Sequence, residues 1–391
     1  MNTATVTTGA TVTTAPRPSR TGWHRLAVTD VRRLTEEAVA VTLDVPDALR
    51  DTFAHRPGDH VVVRHRVAGG ELRRSYSVCP PPGDPDAFRL VIKRGAPDGF
   101  GAYATTALAP GDRLELSPPV NAFALPDLPG AHHVLVAGGS GITPLLAMAA
   151  AVLRADPACR VSLVHAVPTT ATALLADELA ELKDAFVDRF TALHVLTRED
   201  RPSELVSGRV DTAKLPRLLA ALDARPGPGT TFALCGPDGL VTAVRQALIA
   251  WGADPAAVRT EIFTVAPGTR QDTRQDTRRE PPAESVTEPV TGTPPGVRTA
   301  RVTALFGGRR AAVTVEPQED VILDALLRAH PDVPYACRDG VCGSCRAKVL
   351  TGEVALGGGQ YALDADDLAA GYTLVCRARP RSPEVTLDFD A

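Results

Sequence analysis

Lysine is nearly missing from this chain: only four of its 42 basic residues are lysine, the rest being arginine. That imbalance reads as a compositional bias of the genome and points to no function. No excess of either charge exists, since 42 basic residues face 46 acidic ones for a net charge of −4. Such a balance leaves no electrostatic footprint for nucleic acid or an anionic membrane. The opening MNTATVTTGATVTTAPRPSR is Thr-rich and has no apolar core of the signal-peptide kind, so residues 1–21 are expected to be a disordered tail. The longest uncharged stretch, Leu128 to Leu153, is interrupted by Gly138, Gly139, Gly141 and Pro144. It divides into strand, turn and helix, which makes it buried core rather than a membrane span.

Seven cysteines are present, an odd number with no secretion signal. A disulfide framework is therefore not expected, and a reducing cytoplasm is. Apolar content of 44% and charged content of 23% over 391 residues are ordinary for a globular protein of two to three domains. Residues 264–299 hold no Leu, Ile or aromatic residue but much Pro, Thr, Arg and Glu, including the tandem QDTR-QDTR. Too little apolar surface is available there to fold, so the segment reads as a linker with an end-to-end distance of roughly 33 Å. Before it, residues 22–127 contain short strand patterns such as AVAVTLDV, HVVVRHRV and FRLVIKR with Pro/Gly turns, as expected of an antiparallel β-barrel. In residues 128–263 apolar strands (HVLVAGG, VSLVHAV, FTALHVLT, TTFALCG) alternate with helical patterns, as expected of an α/β unit with a parallel sheet.

Three of the seven cysteines fall within nine residues. Cys337, Cys342 and Cys345 have the spacing C-x4-C-x2-C, and thirty residues separate Cys345 from Cys376. Four soft thiolates suit two irons with two ligands each, and this is the spacing of a plant-type [2Fe–2S] site. Gly340 and Gly343 would let backbone amides turn toward sulfur and stabilise the reduced, more negative cluster. A structural zinc site usually takes its ligands as two short C-x2–4-C pairs, which is not the pattern here. Zinc, or unrelated free thiols, remain the competing explanations. The surrounding order over residues 300–391, a strand pair, a helix, the cysteine loop and late strands, resembles the α+β β-grasp fold of plant-type ferredoxins.

Arg74-Ser75-Tyr76-Ser77 closes a barrel strand. A cation for a pyrophosphate, a flat ring beside an isoalloxazine and a hydrogen-bond partner near its N5 would come from Arg74, Tyr76 and Ser77 in turn; alternation puts Arg74 and Tyr76 on one face. An ordinary surface arginine and core tyrosine would look the same. Followed by an α/β unit, however, the tetrapeptide resembles the R-x-Y-[ST] motif of the ferredoxin–NADP reductase superfamily, which binds FAD. VIKR with Ile92 and Lys93, followed by Gly99 and Gly101 in GFGAYA, resembles that family's second flavin segment. There a G-x-x-S turn opens a helix toward the pyrophosphate. Gly101 stands where the family has serine.

VLVAGGSGITP combines a strand, a glycine turn and a helix start. Thr143 is expected as N-cap, Pro144 at the first helical position, and Gly139 and Gly141 should permit close approach of a dinucleotide; Ile142 lies between. The run matches the superfamily's G-x-G-x-x-P form. Cys235-Gly236-Pro237 resembles its C-G-P, whose cysteine sits where nicotinamide meets flavin, although a small buried core residue would serve equally well. Glu261-Ile262-Phe263 resembles its closing E-x-F, with Phe263 near the flavin ring. No acid for a ribose 2′-OH follows VSLVHAV, whereas Thr197 and Arg198 after the next strand could neutralise a 2′-phosphate; NADPH is expected ahead of NADH.

From residue 22 to 391 the chain resembles the reductase components of phenylacetyl-CoA epoxidase systems, on RPGDH, ELRRSYSVC, GSGITP, CGP, VPYACRDGVCGSC and DDLAAGYTLVC. The resemblance implies electron flow from NADPH through FAD to the [2Fe–2S] cluster and on to an oxygenase partner, with Ser77, Cys235 and Glu261 tuning the hydride-transfer site. Reductases of steroid hydroxylases share this domain order. A one-electron carrier with a degenerate flavin site is the alternative of a different class.

Overall fold

The computed structural model describes residues 22–67, 70–120, 123–263, 299–317, 320–357, 362–363 and 365–391. The N-terminal 1–21 and almost all of the expected linker, 264–298, lie outside the described residues.

Strands β1 (His24–Thr35), β2 (Ala38–Asp44), β3 (His60–Val67), β4 (Gly70–Ser77), β5 (Phe88–Lys93) and β6 (Arg113–Leu116) form one sheet in the order β4-β3-β6-β1-β2-β5. Every pairing is antiparallel, and a bridge between Val78 and Leu90 brings the two edges together. Alternate residues (Val39, Val41 and Leu43; Leu90 and Ile92) point into a core shared with Phe53, Phe100 and Leu116. One short helix, α1 (Phe100–Thr106), covers an end of it.

The second body alternates β7 (His132–Gly138), α2 (Ile142–Ala155), β8 (Arg160–Val167), α3 (Ala176–Ala185), β9 (Phe190–Leu196), α4 (Lys214–Ala221), β10 (Thr230–Gly236), α5 (Asp238–Ala250) and β11 (Val258–Ile262). The sheet runs β11-β10-β7-β8-β9, parallel throughout. Helices cover both faces, so β7 is buried along its whole length, as parallel strands must be. Leu135 and Ala137 face α2 and α3, while Val134 and Val136 face α4 and α5.

A third body contains β12 (Ala300–Phe306), β13 (Arg309–Val315), α6 (Ile322–Ala329), β14 (Arg346–Thr351), β15 (Val354–Leu356), α7 (Ala365–Ala369), β16 (Tyr372–Leu374), β17 (Ala378–Pro380) and β18 (Glu384–Asp388). Its sheet order is β13-β12-β18-β14-β16, with β12 and β18 parallel and β15–β17 a separate pair. The expected sequence of barrel, parallel sheet and ferredoxin-like sheet is the one observed.

The barrel and the parallel-sheet body share a core: Ala38, Ala40, Cys79, Val91 and Phe123 pack with residues of α2 and α3. A buried ion pair crosses this seam. Glu178 of α3, 5% exposed, accepts from Arg89 at 3.0 Å and from Arg32 at 2.5 Å, and Arg89 also donates to the Cys79 carbonyl. Burial alone would raise the Glu178 pKa, but hydrogen bonds from its own amide, Arg32 and Arg89 outweigh burial and hold it below the ordinary carboxylate range.

Candidate functional site

Arg74, Ser75, Tyr76 and Ser77 lie at the end of β4, opposite Val63 to His60 of β3. Arg74 is exposed and makes no ion pair among the described residues; its Nη1 donates to the Arg73 carbonyl at 2.8 Å. Tyr76 packs edge-on to Phe100 with ring centroids 5.8 Å apart, and burial drives its phenol pKa upward against the pull of Arg74. The hydroxyls of Ser75 and Ser77 are buried with no hydrogen-bond partner among the described residues. The unpaired Arg74 on the face it shares with Tyr76, and the two orphaned hydroxyls on the other, leave polar capacity at this strand end that fits a polar, anionic ligand such as a flavin dinucleotide.

In the second flavin segment Ile92 is buried and Lys93 exposed at the end of β5. Ile92 has no exposed surface, and inward alternation along β5 places its side chain in the barrel core. Lys93 points outward toward Glu37 at 3.8 Å. Gly99 is the N-cap of α1, and Gly101 lies inside its first turn. A Cβ on Gly101 would stand 2.3 Å from the Lys93 carbonyl oxygen. The missing serine is thus a packing requirement of this chain, not merely a lost contact. Gly101→Ser should lower stability by about 1–3 kcal/mol through overpacking and reduce FAD retention. Thermal unfolding and flavin content check this; an unchanged melting temperature with full FAD would refute it.

The nucleotide turn also departs from expectation. A 3-10 turn, Gly139–Gly141, already winds the chain before α2, so the N-cap is Gly141 rather than Thr143. Thr143 lies at the second helical position with its hydroxyl donating back to the Ser140 carbonyl at 3.0 Å, and Pro144 is third, where a missing N–H costs nothing. A Cβ on Gly141 would meet the Cys235 carbonyl at 2.1 Å, so this glycine serves packing against the end of β10. Gly139, at φ +53° with open space around its absent Cβ, is the one that leaves room for a ligand. Beneath the turn lies a residue the motif did not reveal. His165 of β8 is fully buried and donates its Nε2–H to the Gly139 carbonyl at 2.9 Å, burial lowering its pKa to about 4 so that the ring stays neutral.

Cys235 and Glu261 are neighbours across β10 and β11, the thiol donating to Glu261 Oε2 at 3.4 Å. Burial pushes Glu261 up to about 7 against that donation, and burial together with Glu261 raises the thiol. Phe263 is tied to the Gly236 carbonyl through its amide and packs on the cluster that contains Cys235; Pro237 is the N-cap of α5. Cys235 has no exposed surface, so its small size is also used in the core. At the far edge of the sheet, the amides of Thr197 and Arg198 bond the Val167 and Pro168 carbonyls. An acid does stand here: Glu199 caps Thr170 at its amide (2.8 Å) and hydroxyl (3.0 Å) and pairs with Arg201 at 3.2 Å. Arg198 is exposed and unpaired among the described residues.

The cysteine loop holds three left-handed residues, Arg338, Gly340 and Gly343. The turned backbone aims the Asp339 and Val341 amides at Cys337 Sγ, the former at 3.3 Å. The four thiols converge as two pairs, Cys337 with Cys342 and Cys345 with Cys376. Donation from Cys337, joined by Ser344, outweighs burial and lowers the Cys342 pKa, toward the thiolate that binds metal. Among the described residues no three His, Cys, Asp or Glu side chains close around a single-ion site. Paired thiols fit two irons with two ligands each better than one zinc.

Three family models match in this order: an oxidoreductase FAD-binding domain over residues 25–124, an oxidoreductase NAD-binding domain over 135–246, and a 2Fe-2S iron-sulfur cluster binding domain over 306–381. The chain is 34% identical over 377 residues to a component of the 1,2-phenylacetyl-CoA epoxidase of Escherichia coli (strain K12), covering 95% of this chain and 99% of that one. With the ferredoxin reductase component of 3-ketosteroid-9-alpha-monooxygenase from Rhodococcus rhodochrous it shares 30% over 379 residues, 93% and 96% of the two chains. In fold it is similar to phthalate dioxygenase reductase, with TM-score 0.52 and 23% identity over 94% of this chain and 98% of that one.

Proposed function

Since the chain belongs to the family of FAD- and [2Fe–2S]-containing oxygenase reductases that includes the phenylacetyl-CoA epoxidase and ketosteroid monooxygenase components, we propose that it draws electrons from NADPH and delivers them to an oxygenase that epoxidises phenylacetyl-CoA. It is an oxidoreductase with FAD, pyridine-nucleotide and [2Fe–2S] domains. The observation that carries the choice of partner is the 34% identity, end to end, with the epoxidase component. FAD, when bound, accepts an electron pair and passes it on one electron at a time.

In this reading Arg74, Ser75, Tyr76 and Ser77 hold the flavin, with Lys93, Gly99 and Gly101 supplying the backbone around its pyrophosphate. Gly139, Gly141, Ile142, Thr143, Pro144, Gly236 and Pro237 shape the nucleotide turn. Cys235, Glu261 and Phe263 meet where nicotinamide and flavin come together, and Ser77 offers an unpartnered hydroxyl there. Cys337, Cys342, Cys345 and Cys376 ligate the cluster. Among the described residues no helix is long and apolar enough to cross a membrane.

NADPH is favoured because Arg198, beside Thr197, makes no ion pair among the described residues, while Glu199 is already occupied by Thr170 and Arg201. Loss of a charged hydrogen bond costs about 1.5–3 kcal/mol. Arg198→Ala should therefore raise KM for NADPH roughly 10- to 100-fold and leave that for NADH within about twofold. An equal rise for both nucleotides would remove the phosphate role. The partner is tested by mixing the purified protein with NADPH, phenylacetyl-CoA and the epoxidase oxygenase. Failure to support oxygen consumption, with dye reduction intact, would move the choice to another oxygenase, the 30% identity to the ketosteroid component making that the second reading.

A further inference from the structure

The cysteine loop is covered from two sides. Val341, at its crest, is 5% exposed and packs into the apolar cluster of the parallel-sheet body, with Cys337 beside it. Ser344, between two of the thiols, stands 3.4 Å from His60 Nε2 of the barrel. Next to that contact the barrel sends one charged side chain into the third body. Arg73, adjacent to the flavin motif, is 4% exposed, and its guanidinium donates to the carbonyls of Pro331 at 2.8 Å and Val333 at 3.1 Å. The same group stacks over the Tyr335 ring at 4.2 Å and over Trp23 at 4.9 Å, and Glu71 fixes its Nε at 2.6 Å.

Every nitrogen of this planar group is thus bound into one geometry. Lysine could not span two carbonyls while stacking between two rings. Burying a guanidinium is costly unless its charge and protons are matched, and here two of the matching groups belong to a segment about 260 residues away in sequence. A core residue of the barrel would have no reason to carry a charge. An interface residue that must let go again would.

We propose that Arg73 is the latch of an electron-loading state: it holds the [2Fe–2S] body against the barrel so that the cysteine loop abuts the flavin side. The proposal rests on the reductase reading above. It makes Arg73 a positioning residue, one that touches no cofactor and acts through the placement of the loop.

The test uses the holoprotein and the Arg73→Gln variant, each with FAD and iron content measured, mixed anaerobically with NADPH while flavin and cluster absorbance are followed separately. Flavin bleaching should keep its parental rate, and cluster bleaching should slow at least about tenfold as two charged hydrogen bonds are lost. Arg73→Lys should restore part of that rate, and the milder Glu71→Gln should slow it less. Small-angle X-ray scattering should show a larger radius of gyration for Arg73→Gln. Cluster reduction at the parental rate in Arg73→Gln with both cofactors present would overturn the latch. A parent protein without flavin or iron would instead overturn the reductase reading, and the latch with it.

Discussion

Replacing Cys342 by serine is expected to abolish transfer to the oxygenase while NADPH-dependent ferricyanide reduction survives. Cys342 is held toward its thiolate by Cys337 and Ser344. A serine hydroxyl stays protonated at neutral pH and is a hard donor, poorly matched to iron held by thiolates. Iron content and the visible cluster bands should fall while the flavin spectrum is retained, because the barrel core and the core shared by the barrel and the parallel-sheet body contain no residue of the third body. Oxygenase turnover should drop to the background seen without reductase. Loss of both activities in a folded protein would mean that the flavin and cluster bodies do not work as separate modules.

The second large effect concerns stability. Glu178→Ala strips the partner from Arg89, which is 3% exposed and lies on the seam between barrel and parallel sheet. Breaking a buried pair from one side typically costs about 3–5 kcal/mol, because a charge is left uncompensated. Arg32→Ala is the control. Its side chain is 48% exposed, so its share should stay below about 1 kcal/mol. Because the folded Glu178 pKa is depressed, the pair contributes fully above the ordinary carboxylate range and its contribution is lost as pH falls through the folded value. Denaturant unfolding followed by flavin release at neutral pH measures both variants. Equal, small losses would show that the seam is held by apolar packing alone.

Much of this architecture could be read from residue patterns. Alternation in HVVVRHRV and FRLVIKR, and the strand–helix periodicity after residue 133, follow from which faces must be dry. The four cysteines were legible because few chemistries need that spacing. What escaped was decided by neighbours distant in sequence. Ile92 sits in a motif but alternates inward; Thr143 looks like a cap, yet the turn before it is already wound. Gly101 looks like a lost hydroxyl until the Lys93 carbonyl is placed beside it. His165, Glu178 and Arg73 carry no local signature at all. Each is fixed by a carbonyl or cation supplied by a different element, and no window of sequence contains both partners.

Strand β18 comes last in chain order, yet it lies in the middle of its sheet, between β12 and β14. During synthesis β12 and β14 emerge with no partner for the edges that later flank it, and the sheet can close only when residues 384–388 have left the ribosome. The barrel and the parallel sheet suffer no such delay, since their strands find all their partners within residues 24–262. Domains fold as they emerge, N-terminal first. The nascent chain therefore acquires a folded entry point for electrons before it has a framework for iron, and cluster delivery has to wait until residues 384–388 are free to pair.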